Sequence, residues 1–365
     1  MAVAGRIQGS DPHWVAPLKL ERKSQWSTRS PFFEHAQAQA FIARRDDVPV
    51  GVISAQVDAR KPLADGHRVG WFGQMEAIDD EFVFQALMTA AYGWLSKQGC
   101  ARLQGPYDLS VNQGCGLLIE GRDTPPMVMM NHAPAYYATQ LERLGFAKAM
   151  DLFAYRINPD FQAPAAMERL TQRLQSRLTL RPMDFSRFSE EVSLLRNIFN
   201  DAWSQNWGFV PLSEAEFQAM GKELRLVIQP DYTCVAEMDG QPAGFIIALP
   251  NVNELIADLQ GRLLPFGWAR LLWRIKRNKA TSARVPLMGV RKAFQRGPMG
   301  AAISFAMIDR IRRPLHRNGV RQVEMSWILE TNQGMNSMIE SMCGDLYKRY
   351  RLYERDLPAT EGADS

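Results

Sequence analysis

A repeat inside the chain is the feature that most limits what it can fold into. Residues 43–55 return 193 positions later as 236–248. Without a gap, Ala43, Asp46, Pro49, Gly51, Ile53 and Ala55 fall on Ala236, Asp239, Pro242, Gly244, Ile246 and Ala248. Each copy is two short apolar runs around a polar turn, the pattern of a β-hairpin. Further on the spacing becomes 220, where Gly99 meets Gly319, and Asn112, Gln113 and Gly114 meet Asn332, Gln333 and Gly334. Turn residues recur cheaply, so one match means little. Two blocks in the same order, each followed by the same kinds of element, imply an internal duplication. The second half then carries 27 extra residues (220 against 193) between its hairpin and the next shared block.

Local patterns fill in the halves. Apolar residues recur at helical spacing over 82–97 and stop at Gly99, and a second helical pattern ends at Gly145. Residues 152–157 read as a strand closing the first half, and 301–316 as a long helix of the second. The expected fold class is α+β: two similar domains, each a mixed β-sheet flanked by helices. Their expected limits are 1–160 and 186–357, with a linker at 161–185, an amphipathic insertion at 253–279 and a disordered tail at 358–365.

Composition narrows the function. Apolar residues make up 46% of the chain and charged residues 22%, the balance of a protein that buries real cores. The net charge of +4 is too small to argue for nucleic acid. Cys100, Cys115, Cys234 and Cys343 form no CxxC pair, so buried free thiols are expected. The five histidines have no metal-ligand spacing, and no metal is expected. The N-terminal stretch lacks a signal-peptide core, and no apolar run is long enough to span a bilayer. The expected location is cytoplasmic.

The chemistry points to residues 290–302. A short apolar run ends at Val290, a basic and glycine-bearing loop follows, and the helix of 301–316 begins. Outward backbone N–H groups and the helix dipole make such a helix start an anion site. The counterpart in the first half, 220 positions earlier, carries Glu76, Asp79, Asp80 and Glu81. Those carboxylates suit a helix cap and would repel a diphosphate. Only the second half is expected to bind phosphate.

The spacing Gln295-x-x-Pro298-x-Gly300-Ala301 resembles the diphosphate loop of the GNAT acyltransferases, with Pro298 where that family usually has glycine. Hairpin, strand, phosphate loop with helix, strand, helix and strand is also the GNAT order of elements. Two copies resemble tandem members such as mycothiol synthase and N-myristoyltransferase. The stretches 32–35, 52–58, 116–121 and 136–146 look similar to an uncharacterised bacterial tandem GNAT group, and length and organisation look similar to the bacterial ceramide synthases, which acylate a long-chain amino alcohol. The resemblance implies acyl-CoA as co-substrate, held by Met288, Val290, Arg291, Gln295, Arg296, Gly297, Met299, Gly300, Ala301 and Asn332. Backbone amides from Met288 to Arg291 would polarise the thioester carbonyl. The family's usual tyrosine position holds Ile339, so Tyr347 is the candidate acid, with Tyr350, Tyr353 or unassisted departure of the thiolate as alternatives, and Glu330 is the candidate base.

The insertion 253–279 interleaves leucines, isoleucines, Phe266, Trp268 and Trp273 with Arg262, Arg270, Arg274, Lys276, Arg277 and Lys279. It reads either as a helical hairpin packed on its domain or as an element lying in a membrane interface. The expected function is an acyl-CoA-dependent N-acyltransferase acting on a lipid-like amine at the membrane face. The alternatives are a soluble acetyltransferase for a small amine or amino acid, and a non-catalytic acyl-CoA- or lipid-binding protein.

Overall fold

The structure is a computed structural model that describes residues 2–357; the tail expected over 358–365 lies outside them. Two short helices, α1 (Ala2–Ile7) and α2 (Lys19–Gln25), precede a hairpin of β1 (Ala36–Arg45) and β2 (Val48–Asp58). Then come β3 (Arg68–Ala77), α3 (Glu81–Lys97), β4 (Cys100–Gly105), β5 (Leu117–Glu120), α4 (Tyr136–Arg143) and β6 (Ala147–Ile157). The second half begins with α5 (Ala165–Leu174), β7 (Leu178–Arg181), α6 (Phe188–Trp203) and α7 (Glu214–Leu224). Its hairpin is β8 (Thr233–Met238) and β9 (Gln241–Pro250), followed by α8 (Val252–Ile256) and α9 (Gly267–Lys276). The chain ends with β10 (Ser282–Val290), α10 (Pro298–Arg317), β11 (Gln322–Leu329), α11 (Gln333–Ser341) and β12 (Asp345–Asp356).

The two hairpins share even their irregularity. Asp46 and Asp47 both have positive φ, as do Asp239 and Gly240, the backbone of a type I′ turn that matches strand twist. The β1–β2 register slips between Ala43 and Arg44, and the β8–β9 register slips between Ala236 and Glu237. Those positions coincide at the spacing of 193, and so do Pro49 and Pro242, each opposite the slip. A proline has no N–H to give the ladder, so the bulge sits where the ladder would fail. Nine residues, 59–67, connect β2 to β3, whereas 251–281 connect β9 to β10 and hold α8 and α9. The repeat diverges later. Asn332 caps α11, but Asn112 sits in a turn of the loop between β4 and β5.

The chain forms two compact units, residues 2–152 with 348–357, and residues 153–347. Each is a mixed sheet with helices against it, the expected α+β class. The first sheet runs β1-β2-β3-β4-β12, with β5 also on β12; the second runs β11-β10-β9-β8-β7, with β6 beside β11. The crossing points differ from the boundary expected near residue 160. From Lys348 onward β12 belongs to the first unit, pairing Tyr353 with Gly105 and Arg351 with Leu117. From Phe153 onward β6 belongs to the second. Partner choice depends on edge geometry and register, which no local pattern encodes.

Residues 161–185, expected as a linker, hold α5 and β7 instead. β7 is an outer strand of the second sheet, with Leu180 opposite Ala236. In the second unit α10 buries Ile303, Met307, Ile311 and Leu315 against Ile246, Val285, Met325 and Ile339. That is the i, i+4 stripe of a helix packed on a sheet. The cysteine expectation needs one correction: Cys100, Cys115 and Cys234 are buried, and Cys343 is exposed at a positive-φ position just after α11.

Candidate functional site

The site starts where two parallel strands part. β10 and β11 pair from Ser282 opposite Gln322 to Val285 opposite Met325, and no further. On its other side β10 stays on β9 to its end, with Met288 opposite Ile246 and Val290 opposite Gly244. A fork opens between Leu287–Val290 of β10 and the end of β11. The carbonyl of Met288 accepts from the Trp203 indole N–H at 3.0 Å, and that of Val290 from the Gln295 amide at 2.6 Å. Both carbonyls therefore point away from β9, and strand alternation turns the N–H groups of Met288 and Val290 to the same, open side. Arg291 differs from the expectation. Its N–H donates to the Ala243 carbonyl at 2.7 Å, so this amide is committed to the ladder.

The loop beyond β10 is built tightly. Phe294 N–H and Gln295 N–H close back on Arg291 and Lys292, and the Lys292 N–H is held by Asp201 at 2.8 Å. Gln295 spends its side chain on loop closure, not outward. A Cβ on Gly300 would stand 2.9 Å from the Gln295 Cα, so close approach of the two backbones requires glycine. Gly297 adopts φ 61° and ψ −150°, a conformation essentially restricted to glycine. Pro298 takes the first helical position of α10, where a missing N–H costs nothing and a fixed φ helps. The loop tolerates proline for that reason.

α10 is 20 residues long, and its N-terminus has no side-chain cap and no acidic residue in its first turn. Arg296 is exposed beside it, Met299 is half-buried, and Ala301 lies in the first turn. Arg291 is half-buried, with its Nε enclosed and without a hydrogen bond. An uncapped helix start with cations around it attracts an anion.

The first unit has the same fork, filled in. β3 pairs with β4 only up to Trp71 opposite Gln104. Beyond that the chain itself enters: the Tyr107 N–H donates to the Phe72 carbonyl at 2.8 Å, and a Cβ on Gly73 would stand 1.5 Å from the Tyr107 carbonyl oxygen. Its helix is also closed. Asp80 caps α3 by accepting from the N–H groups of Phe82 and Val83 at 2.9 and 3.3 Å, and pairs with Arg45 at 2.8 Å. Glu76, expected at that helix start, lies in β3. Its carboxylate accepts from Gln8 at 2.8 and 2.9 Å and from the Tyr137 hydroxyl at 2.9 Å.

The two catalytic candidates sit on different elements. Glu330 is half-buried just past the end of β11, in the turn that Asn332 leads into α11 by capping the Met335 N–H at 3.2 Å. Tyr347 is half-buried on β12, and its hydroxyl donates to Glu324. Glu324 precedes Glu330 by six residues, up to roughly 20 Å of extended strand.

Tyr347 leads to residues that sequence reasoning passed over. Arg284 and Glu324 face each other across the β10–β11 register, both fully buried. The Arg284 Nε is 3.3 Å from Glu324 and donates to the Ser326 hydroxyl at 2.6 Å. The Trp327 ring covers the Arg284 guanidinium at 4.1 Å. A single charged residue inside an otherwise uncharged strand was the available signal, in β10 and β11 alike.

The insertion is α8, a short 3-10 turn, and α9. Asp258 holds two of the expected basic residues, Arg270 at 3.0 Å and Arg274 at 2.6 Å. Arg262, Lys276, Arg277 and Lys279 lie toward solvent. So do Leu264 (70% exposed), Phe266 (79%), Trp268 (51%) and Trp273 (54%), and α9 has no fully buried residue. The helical-hairpin reading thus accounts for part of the apolar side chains only. Among the described residues no cluster of His, Cys, Asp and Glu could hold a metal, and no helix is long and apolar enough to cross a membrane.

No family model matches the chain. Two curated proteins match it end to end. Protein YghO of Escherichia coli K12 is 44% identical over 358 residues, 98% of this chain and 92% of that one. The bacterial ceramide synthase of Caulobacter vibrioides is 45% identical over 360 residues, 98% and 94% of the two chains. Among solved structures, a tandem GNAT protein from the clavulanic acid pathway superposes with a TM-score of 0.52 at 11% identity, covering 94% of this chain and 88% of that one. A probable N-acyltransferase from Enterococcus faecalis V583 gives 0.53 at 10% identity, covering 98% and 69%. These two likenesses concern the fold.

Proposed function

This chain belongs to the tandem GNAT family that includes the bacterial ceramide synthase of Caulobacter vibrioides, and from that membership we propose an acyl-CoA-dependent N-acyltransferase whose acceptor is a lipid-like amine such as a long-chain base. The observation that carries the reading is the contrast between the two forks. In the second unit the strands part beside an uncapped helix start with cations around it. In the first, Tyr107 fills the fork and Asp80 caps the helix.

In this reading the diphosphate of CoA lies on the first turn of α10, against the amides of Gly297, Met299, Gly300 and Ala301, with Arg291 and Arg296 beside it. Met288 and Val290 turn their N–H groups toward the thioester carbonyl and stabilise the oxyanion as it forms. The acceptor amine attacks that carbonyl; a C–N bond forms, the C–S bond breaks, the thiolate leaves, and the amine gives up a proton. Asn332 orders the turn before α11, and Glu330 at the open end of the fork is the candidate base for that proton.

Ligand binding to this site raises the melting temperature. At ten times its Kd a CoA thioester adds about 1.4 kcal/mol, or a few degrees. Differential scanning fluorimetry with CoA, acetyl-CoA and hexadecanoyl-CoA is the measurement, and a long-chain acceptor reading expects the largest shift with the long thioester. No shift with any of them overturns the proposal. Binding without turnover on any amine leaves a non-catalytic acyl-CoA-binding protein.

The lipid acceptor also fits the insertion. Leu264, Phe266, Trp268 and Trp273 can enter an acyl boundary while Arg262, Lys276, Arg277 and Lys279 meet anionic headgroups, each contributing about 1 kcal/mol. Co-flotation with phosphatidylglycerol-containing vesicles is expected for the wild type. Replacing exposed Leu264 and Phe266 by Asp should lower the bound fraction about tenfold or more, and equal flotation of the two proteins would sink the membrane reading.

A further inference from the structure

Trp327 stands where the fork begins, and the backbone there departs from a strand. Met325 packs in the core of the second unit, Ser326 bonds Arg284 on the opposite face, and Ile328 packs against the core again. Simple alternation would send Trp327 to the core side with Met325. It does not go there. Its φ is +59°, a left-handed value that is an outlier for a bulky residue. Its ring lies over Arg284, on the same face as Ser326. One extra residue is thus spent in β11, just past the last β10–β11 pair at Val285 and Met325, and it re-aims an indole.

Two further facts separate this from ordinary packing. The Trp327 indole N–H is buried and makes no hydrogen bond, although buried indole donors normally find a partner. The ring is held in place from below by a buried set, Arg284 with Glu324 and Ser326, and Glu324 with the Tyr347 hydroxyl. Backbone strain, an unused donor and a rigid seat coincide at one residue. Such strain is kept where the surrounding structure over-determines it, as at ligand sites.

We infer that Trp327 reads the acyl acceptor: its indole N–H donates to an oxygen on the carbon adjacent to the one that bears the reacting amine, and its ring forms an apolar wall for the chain beyond. A hydroxyl and a keto oxygen both accept such a bond. This rests on the proposed N-acyltransferase function, since the thioester oxygen is already assigned to the amides of Met288 and Val290. Arg284, Glu324 and Tyr347 act as positioning residues through the ring.

The test compares long-chain amines of equal length, one with an oxygen beside the amine carbon and one plain alkylamine, in wild type and Trp327→Phe. Phenylalanine keeps a ring over Arg284 and removes only the donor. In the wild type the oxygenated acceptor should be favoured in kcat/KM by about tenfold to a hundredfold, the range for a site that hydrogen-bonds an oxygen. In the variant that ratio should collapse to within about threefold, while the thermal shift with hexadecanoyl-CoA stays as in the wild type. A hydroxyl-bearing and a keto-bearing amine, run separately, tell the two oxygen sources apart. An active wild type whose ratio is unchanged by the substitution overturns the assignment of Trp327 alone. A wild type that acylates neither amine overturns the function on which it rests.

Discussion

Replacing Glu324 by Ala is expected to cost about 3–5 kcal/mol, because it leaves the Arg284 charge buried without its counter-ion. Both side chains are fully buried, 3.3 Å apart, on facing strands. The Ser326 hydroxyl and the Trp327 ring would remain on Arg284, and neither can neutralise a cation. The Tyr347 hydroxyl would also lose its acceptor. For a protein of this size the melting temperature should fall by roughly 4–7 °C. The double variant Arg284→Met, Glu324→Leu removes both charges and refills the space, and should return to within about 2 kcal/mol of the wild type. Thermal denaturation of the three proteins checks the pair. A Glu324→Ala variant as stable as the double variant would mean that Arg284 finds another counter-ion, and the seat under Trp327 would need redrawing.

That pair also shows where sequence reasoning stops. The hairpins were legible because their turns need particular residues: Asp46, Asp47, Asp239 and Gly240 supply the positive φ of tight turns. The start of α3 was legible for the same reason, since an acid at Asp80 caps it. By contrast, α10 begins at Pro298, ahead of the expected 301, because Gly297 and a proline at the first helical position open it earlier. Glu76 misled because a carboxylate five residues before a helix looks like part of its cap, and only the end of β3 decides otherwise. Arg284 and Glu324 lie 40 positions apart, and nothing local says that a parallel register sets them face to face. The left-handed backbone at Trp327 has no signal in composition, since tryptophan is a poor candidate for it. The exchange of β6 and β12 is invisible for a related reason: each strand reads as a strand, and its partner is a tertiary choice.

Glu76 carries the second large expectation, and its sign is unusual for a carboxylate. Burial pushes its pKa up from 4.5 to about 7, with the hydrogen bonds from Gln8 and Tyr137 and the nearby Arg22 only partly opposing the loss of water. A carboxyl whose folded pKa lies above its unfolded value binds more protons in the folded state between those two values. Stability from this group is therefore present below pH 4.5 and is lost as pH rises through about 7. The penalty at pH 8 is at most about 3 kcal/mol for a shift of this size, and the partial exposure of the residue reduces it. Asp151 and Asp258 behave in the opposite way, since Arg351 and Arg274 hold their pKa values down and their contributions are lost at acid pH. The useful quantity is thus the difference between Glu76→Gln and wild type, in which those carboxylates cancel. The amide keeps a carbonyl oxygen for Gln8 or the Tyr137 hydroxyl and has no charge to desolvate. The variant should match the wild type near pH 4.5 and melt progressively higher than it from about pH 6 to about pH 8, as read by thermal denaturation across that range. A variant that melts lower than the wild type at about pH 8 would show that Glu76 is held as a needed anion, with Arg22 and Gln8 outweighing its burial.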